Sequence, residues 1–307
     1  VMLLGMMLLT GWLLALYYSP TPDSALKSIQ FVDQEIGNGR LIRSLHVWGA
    51  SAVVVCAILH LLHVFLTGAF KAPRQLTWLV GVGLFVLILG MVFTGFTLPW
   101  DARAYSCTAV AADIGETAPI FGSWVRKLIL GGEGLGILTL SRFYALHVAI
   151  LPLAVLSCLI VHLMLVRRVG IATPIGCEDA PPSWVPFFPD HAWKDSVAGF
   201  AVLLVVFLLA KLWPAATGVP WDETPVGFVP RPEWYFLPLF QLLHYLPGQW
   251  TFVGAGLIPG AVLGLVILWP WLETGPERRP TRRKFALCLA GILAAIVLAL
   301  GGLATRT

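Results

Sequence analysis

The sequence predicts an all-α membrane protein, a bundle of seven transmembrane helices. Three observations predict it: 58% of the 307 residues are hydrophobic, only 12% are charged, and long apolar runs recur along the chain. A soluble domain carries about 25% charged residues, so lipid must surround much of this fold. The net charge of +4 is too small to indicate a nucleic-acid partner.

Seven apolar runs, named A to G, define the predicted helices. They cover residues 1–18, 45–67, 76–98, 145–166, 196–213, 251–272 and 284–304. Those seen whole approach the ~20 residues that a spanning helix needs. Long connections follow A, C and E, and we expect amphipathic surface helices in them at 25–32 and 121–130. Because Val1 already lies inside an apolar run, we expect the true N-terminus to precede it.

The charges of the loops predict how the bundle is oriented. The short loops after B, D and F concentrate Lys and Arg, whereas the long loops after A, C and E carry more Asp and Glu. Cationic loops stay on the cytoplasmic side of a membrane. The long loops are therefore expected on the outer side, and because long loops usually carry function, we expect the chemistry there.

Runs B and D each carry two histidines at nearly the same spacing. His46 and His60 are fourteen residues apart, and His147 and His162 are fifteen apart. On a helix these spacings give about 21–22 Å of rise and rotations of roughly −40° and +60°. Each helix therefore presents two imidazoles on about one face. Since B and D run parallel, His46 should face His147, and His60 should face His162.

Polar rings are costly in lipid and usually functional, so two matched pairs predict two metal centres. We interpret each as a bis-histidine haem that transfers electrons, because a pair lacks the further ligands that zinc needs. Gly81 and Gly95, also fourteen apart, and Gly11 in run A would let a flat macrocycle approach the backbone. Their alternative role is helix–helix contact through small residues. Arg43 can neutralise a haem propionate.

Four ordered motifs make the chain resemble cytochrome b of the Rieske/cytochrome b complexes. They are Arg43-x-x-His46 with His60, Gly95-Phe96-Thr97-Leu98-Pro99-Trp100, Arg142-Phe143-Tyr144-Ala145-Leu146-His147 and Pro232-Glu233-Trp234-Tyr235. The resemblance covers essentially the whole chain. It implies a cytochrome b6-like, four-helix di-haem region at 1–170 and a subunit IV-like region at 171–307.

The resemblance also implies a function. It implies a subunit of a proton-translocating quinol:cytochrome c oxidoreductase that splits the two electrons of a quinol. One would go to a Rieske iron–sulfur protein, and the other through two b-type haems to a second quinone. His46 and His147 would bind the outer, low-potential haem, and His60 and His162 the inner, high-potential one. A third, covalent haem of chloroplast-type relatives would attach before the first residue of this chain.

The resemblance further implies two quinone sites. The residues implied at the outer, quinol-oxidising site, where Glu233 would accept a proton, are Glu233, Tyr235, Tyr105, Gly122, Pro232 and Trp234. On the inner side, Lys194-Asp195 resembles a quinone-reduction pair, or is a helix start at which the dipole favours Asp195. His63, one turn beyond the second histidine of run B, either contacts a propionate or quinone or packs at the interface.

The pattern favours a fused bacterial form in the inner membrane, because run D resembles cytochrome b6 while Lys194-Asp195 is mitochondrial-like. The implied partners are a Rieske protein, a c-type cytochrome, quinone, the lipid bilayer and a second copy of the complex. One alternative is the di-haem membrane anchor of a quinone-linked dehydrogenase, which would need neither Pro232-Glu233-Trp234-Tyr235 nor long outer loops. Another is a transporter, which would predict broken helices or inverted repeats at the midplane.

Overall fold

The computed structural model describes residues 1–176, 187–224 and 226–306, and apart from one isolated β-bridge its regular structure there is helical. This confirms the all-α prediction. The α-helices are α1 Met2–Ala15, α2 Ala25–Glu35, α3 Gly39–Leu66, α4 Gln75–Thr97, α5 Ala102–Glu116, α6 Gly122–Leu130, α7 Ile137–Ala145, α8 Leu151–Val169, α9 Ala192–Leu212, α10 Leu237–Tyr245, α11 Ile258–Leu272 and α12 Lys284–Ala304.

Every predicted apolar run lies on a helix. Within the described residues, six helical stretches are long and apolar enough to cross a membrane, and α1 is a shorter apolar helix. The six are Gly39–Leu66, Gln75–Thr97, Ile137–Val169, Phe187–Leu212, Gly248–Leu272 and Lys284–Ala304. Together with α1 they correspond to the seven predicted runs. Run D begins earlier than predicted, since α7 continues into α8.

The histidine-bearing helices pack as a bundle with α1 and α4. Helix α1 packs on α3, and α4 packs on α8. Val54 of α3 is fully buried against Ile88 and Val92 of α4, so an apolar contact holds these two helices together. The four elements thus surround the face on which both histidine pairs lie.

The long connections meet at one end of the bundle, which we call the Arg43 end. The Arg43 guanidinium pairs with the Asp33 carboxylate of α2 at 2.6 Å and donates to the Ala215 carbonyl that follows α9. The Ala102 N–H donates to the Val219 carbonyl at 3.0 Å. The loops after runs A, C and E therefore share one end, as the serpentine topology predicts.

The short connections meet at the opposite end, which we call the Lys71 end. The Lys71 ammonium lies 2.9 Å from the Glu273 carboxylate, and the Arg283 guanidinium also donates to Glu273. Arg283 further donates to the Phe65 and Leu66 carbonyls at the end of α3. This ion cluster joins the predicted regions 1–170 and 171–307, whose division stays a prediction.

The ion cluster changes the acidity of its carboxyl group. Burial raises the pKa of Glu273, but hydrogen bonds from Arg283, Lys71 and Trp269 outweigh burial and lower that pKa to about 2. The shift reflects an anion held by two cations that are themselves almost fully buried, with side chains 2% and 8% exposed. The cluster therefore fixes the carboxylate in its charged form.

The surface helices predicted at 25–32 and 121–130 are present as α2 and α6, whereas α5 was not predicted. Helix α5 begins at Asp101, whose side chain accepts a hydrogen bond from the Ala104 N–H at 2.8 Å. Its buried face consists of small residues spaced by four, Ala104, Thr108 and Ala112. Such residues form no apolar run. The features of the sequence that indicate this helix are its Asp101 cap and the spacing of its small residues.

Candidate functional site

The structure brings the four histidines together in the two pairs that their spacing predicts. The ring centres of His46 and His147 lie 6.2 Å apart, with ring planes at 78°. Those of His60 and His162 lie 6.3 Å apart, at 79°. The first pair is at the Arg43 end and the second at the Lys71 end, so two nearly identical sites lie on one pair of parallel helices.

Each pair has room for one metal atom between its rings. An imidazole nitrogen lies about 2.0 Å from a coordinated ion, so two rings on opposite sides of one ion have centres about 6 Å apart. The two observed separations, 6.2 and 6.3 Å, fit that geometry. Among the described residues, no group of three or more His, Cys, Asp or Glu side chains could hold a metal ion. The ring separation of each pair fits one haem iron, which the two imidazoles would hold.

All three predicted glycines lie directly against histidine rings, two of them on α4. A Cβ built on Gly95 would lie 2.5 Å from Cε1 of His147, and one built on Gly81 would lie 3.1 Å from Cε1 of His162. Distances this short would force the ring or the helix to move. These glycines of α4 therefore make space for the imidazoles themselves, and contact with a macrocycle stays a prediction.

The environment of His46 fixes which of its nitrogens is free. Its Nδ1 lies 2.9 Å from the Thr10 hydroxyl of α1, and that hydroxyl donates to the Met6 carbonyl at 2.8 Å. The Thr10 oxygen is then the acceptor of the Nδ1–H, which leaves the Nε2 lone pair for a metal. Gly11 lies beside the same ring, since its Cβ would be 3.0 Å from Cε1.

His147 has the same arrangement. Its Nδ1 lies 3.0 Å from the Met91 carbonyl and 3.1 Å from the Thr94 hydroxyl. The Thr94 hydroxyl itself donates to the Gly90 carbonyl at 2.9 Å. Both acceptors therefore favour the tautomer with hydrogen on Nδ1, and Nε2 is again the nitrogen that can bind a metal.

One π-helical turn explains why the two histidine spacings differ. Residues Leu146–Ile150 form this turn, and it contains His147. A π turn closes through i→i+5 bonds and so contains one more residue than an α turn. The fifteen-residue step to His162 therefore matches the fourteen-residue step of α3. The rotation of roughly +60° expected for a regular helix is wrong for this segment.

Arg43, predicted to neutralise a haem propionate, is held by the loops of its own end. Its Nε and one terminal nitrogen donate to the two oxygens of Asp33 at 2.7 and 2.6 Å. The same terminal nitrogen donates to the Ala215 carbonyl at 2.5 Å. The structure thus assigns Arg43 an ion pair between α2 and α3, and the propionate contact stays a prediction.

The motif at residues 232–235, which we call the PEWY segment, lies against the bundle at the Arg43 end. Its Glu233 carboxylate accepts a hydrogen bond from Arg103 of α5 at 2.6 Å. Arg103 also donates to the Arg231 carbonyl at 2.7 Å, and the Trp234 indole N–H donates to Ser51 of α3 at 3.3 Å. The carboxylate is therefore positioned from two sides, by its own loop and by α5.

The aromatic residues of this region reach the level of the first histidine pair. Tyr235 and Phe236 pack on the apolar cluster around Val54, and Phe236 contacts Phe93 edge to face at 6.0 Å. Phe93 immediately precedes Thr94, whose hydroxyl contacts Nδ1 of His147. Burial and the nearby Glu233 carboxylate raise the pKa of the Tyr235 hydroxyl, so this phenol stays protonated.

Tyr105 and Gly122, also predicted at the outer quinol site, lie in the loop after run C. Tyr105 stacks on Trp221 at 4.8 Å and lines a cavity of about 230 Å³ between α5 and α6. Gly122 begins α6 against the Glu116 carbonyl, where a Cβ would overlap backbone. That contact accounts for the glycine, and its place at a quinol site stays a prediction.

The residues predicted for the inner quinone site are exposed. Lys194 and Asp195 lie in the first turn of α9 and form no ion pair with the described residues. The Trp213 carbonyl after α9 accepts a hydrogen bond from Trp48 near the start of α3, so α9 runs antiparallel to α3 and begins at the Lys71 end. His63 is exposed at the same end. Both interpretations of the Lys–Asp pair stay predictions.

Sequence reasoning missed three residues of the site. Thr10 and Thr94 bond two histidines, and each directly precedes a glycine that had been singled out, which was an available signal. Arg103 binds a carboxylate 130 residues away along the chain. Nothing local in the sequence marks that contact, because it forms only when α5 packs beside the PEWY segment.

Two family models match the chain. The model described as cytochrome b/b6/petB matches residues 1–170, and the model described as cytochrome b(C-terminal)/b6/petD matches residues 223–307. A solved structure titled "Hyperthermophilic respiratory Complex III" superimposes with a TM-score of 0.87 and 27% identity, covering 99% of this chain and 81% of that one.

Named relatives agree with the family models. The cytochrome bc complex cytochrome b subunit of Chlorobaculum thiosulfatiphilum is 37% identical over 77% of this chain, which spans 56% of that protein's length. The menaquinol:cytochrome c reductase cytochrome b subunit of Geobacillus thermodenitrificans is 41% identical over 55% of this chain and 75% of its own length. The first family model alone covers more than half of the 307 residues, and this chain belongs to the cytochrome b family.

Proposed function

We propose that this chain is the cytochrome b subunit of a quinol:cytochrome c oxidoreductase and that each histidine pair holds one b-type haem. The observation that carries the proposal is the near-identity of the two ring separations, 6.2 and 6.3 Å, on one pair of parallel helices. Family membership implies b-type haem binding. The two imidazoles of each pair would hold the haem iron, and the group would then supply reversible one-electron transfer rather than oxygen binding.

The chain's own residues build a path across the membrane. His46 and His60 are separated by about 21 Å of helix, which spans most of a hydrocarbon core of about 30 Å. The rigid helices set the separation of the two sites. The hydrogen bonds of Thr10 and Thr94 orient the rings of the first pair. Electrons would enter at the Arg43 end and leave at the Lys71 end.

The PEWY segment supports a quinol-oxidation site at the Arg43 end. A quinol that gives up two electrons must release two protons, and Glu233 is a carboxylate held 2.6 Å from Arg103. Its side chain is 32% exposed to water, and Tyr235 of the same segment packs on the apolar cluster. The Glu233 carboxylate would release Arg103, accept one proton from the quinol and then pass that proton to water. A Rieske protein would accept the other proton and one electron.

We extend the proposal to the orientation of the chain in the membrane and to its partner proteins. The cationic loops would lie in the cytoplasm of a bacterium and the Arg43 end would face the periplasm, in accordance with the charge rule. A Rieske iron–sulfur protein and a c-type cytochrome would be the partners, and the complex would be a dimer. The names of the relatives, which include reductases of cytochrome c, support this assignment.

The second candidate is a di-haem anchor that only passes electrons from a dehydrogenase. It would share the histidine pairs. It would have no use for a carboxylate docked beside the apolar cluster at the level of the first pair. The PEWY segment and its arginine partner therefore favour the oxidoreductase.

Two measurements on the purified complex test the proposal. A reduced-minus-oxidised spectrum with a quantified pyridine extract should show two b-type haems per chain, and a protein without haem would rule the proposal out. Reduction of a c-type cytochrome by added quinol should then be catalytic. Two haems without such turnover would favour the anchor.

A further inference from the structure

Two helices present the same five-residue pattern to the first histidine pair. Met7-Leu8-Leu9-Thr10-Gly11 lies on α1 and Met91-Val92-Phe93-Thr94-Gly95 lies on α4, and both read Met-x-x-Thr-Gly. In each, the threonine hydroxyl contacts Nδ1 of one histidine, at 2.9 and 3.1 Å, and the glycine lies against the same ring. The pattern is thus a cradle for an imidazole.

Helix α4 repeats this cradle fourteen residues earlier with two changes, Thr77 in place of the methionine and Val80 in place of the threonine. Residues Thr77-Trp78-Leu79-Val80-Gly81 stand where the Met-x-x-Thr-Gly pattern would stand. Gly81 faces His162 as Gly95 faces His147. Val80 lies fourteen residues before Thr94 and therefore occupies the equivalent position in the earlier cradle. A methyl group therefore replaces the hydroxyl at the second site.

The nitrogen that this hydroxyl would bind has no side-chain partner. Nδ1 of His162 is buried and makes no hydrogen bond of normal length with the described residues. A weaker interaction with the Thr77 carbonyl remains, and that carbonyl corresponds to the one of Met91 at the first site. The two sites thus differ in the hydroxyl and in the strength of the Nδ1 hydrogen bond.

That difference acts on a bound iron through its ligand. An acceptor on the Nδ1–H makes an imidazole more basic. A more basic ligand donates more charge and stabilises ferric over ferrous iron, and such outer hydrogen bonds are one of the protein's means of setting a haem potential. Two histidines with strong acceptors therefore give a lower potential than a pair in which one Nδ1 has only a weaker acceptor.

We propose that Thr10 and Thr94 are positioning residues that lower the reduction potential of the haem held by His46 and His147, and that Val80 keeps the other potential higher. Together they would direct electrons from the Arg43 end to the Lys71 end. The inference rests on the proposed function, because it requires a haem at each pair.

The test exchanges threonine and valine, which have nearly the same shape, in the intact complex. Thr94→Val should raise the midpoint potential of the first haem, and Val80→Thr should lower that of the second, both read by spectroelectrochemical titration. We expect a three- to tenfold change in each one-electron equilibrium, about 30–60 mV at 59 mV per tenfold. The Met91 carbonyl remains in Thr94→Val, which limits the rise.

Thr97→Val is the matched control, since Thr97 is a buried threonine of α4 whose hydroxyl donates to the Thr94 carbonyl. It should leave both midpoints in place. Unchanged midpoints in Thr94→Val and Val80→Thr, with both haems bound, would overturn the inference while the proposed function stands. A parent protein without haem would instead overturn the function. Should Thr94→Val lose its haem, Val80→Thr decides alone, because it adds a hydroxyl and removes no hydrogen bond.

Discussion

The two ends of the bundle hold nearly identical histidine pairs in different surroundings. At the Arg43 end, both histidines have hydroxyl partners, and three long connections with a carboxylate beside an apolar cluster cover the pair. At the Lys71 end, Nδ1 of His162 has no hydroxyl partner and only a weaker interaction with the Thr77 carbonyl, the connections are shorter, and the ion cluster around Glu273 holds them together.

The fold does two things: it holds two equivalent histidine pairs, and it gives each pair different surroundings. The ring separations agree to within 0.1 Å between the ends, so the ligand pairs themselves do not distinguish the two ends. In the proposed function, the residues around each pair would determine which end exchanges protons with a substrate and which end receives electrons. The same ligand set can therefore serve opposite ends of one path. A variant that alters one end leaves the other end as its control.

The largest effect is expected from removing a histidine. His147→Leu should abolish binding of the haem at the Arg43 end and leave that at the Lys71 end, because the remaining ring offers one nitrogen. His162→Leu should do the reverse. Haem content per chain should fall from two to one in each variant, and quinol:cytochrome c turnover should be lost in both. Retention of two haems in either variant would reject the assigned pairs.

The second effect concerns the carboxylate of the Arg43 end. Glu233→Gln should slow quinol oxidation by roughly 10²-fold, at the low end of the usual range for a general base, because the amide cannot accept the proton. Both haems should stay bound. The control is Glu223→Gln, an exposed carboxyl on the same loop, which should leave turnover unchanged. Full activity of the Glu233 variant, measured as steady-state turnover, would contradict its role.

Much of this comparison could be predicted from the sequence, because helix periodicity and membrane length are local properties. The apolar runs gave the spanning helices, and the 14- and 15-residue spacings gave both histidine pairs. The π turn at Leu146–Ile150 could not be anticipated, since a one-residue bulge leaves no periodic signal. The ion pair of Arg103 with Glu233 was equally hidden, because it joins segments far apart in the chain.

The third prediction compares two glycines of α4. Gly95→Ala should destabilise the Arg43 end by about 1–3 kcal/mol, the usual range for overpacking, because its Cβ would lie 2.5 Å from the His147 ring. Gly81→Ala should have a smaller effect at the other end, where the distance to the His162 ring is 3.1 Å. Thermal loss of each haem's absorbance measures the difference, and an equal loss in both variants would show that space beside the ring does not decide it.

The smallest effect is the pH dependence of the Lys71 end. The pKa of Glu273 is about 2 in the folded protein and 4.5 for an unperturbed glutamate. Its contribution to stability is therefore complete above about pH 4.5 and is lost as the pH falls through about 2. Because the carboxyl is partly exposed, solvent screening keeps the loss between pH 7 and pH 4 below about 1 kcal/mol.

Hydrogen exchange can locate that loss. Backbone amides at 65–74 and 273–284, which the ion cluster joins, should exchange faster at pH 4 than at pH 7 after correction for intrinsic rates. Glu273→Gln should exchange faster at both pH values and should lose the pH dependence, because no titrating group remains to hold Lys71 and Arg283. A pH dependence that persists in this variant would assign the effect to another group, and the ion cluster would then not be what holds the Lys71 end together.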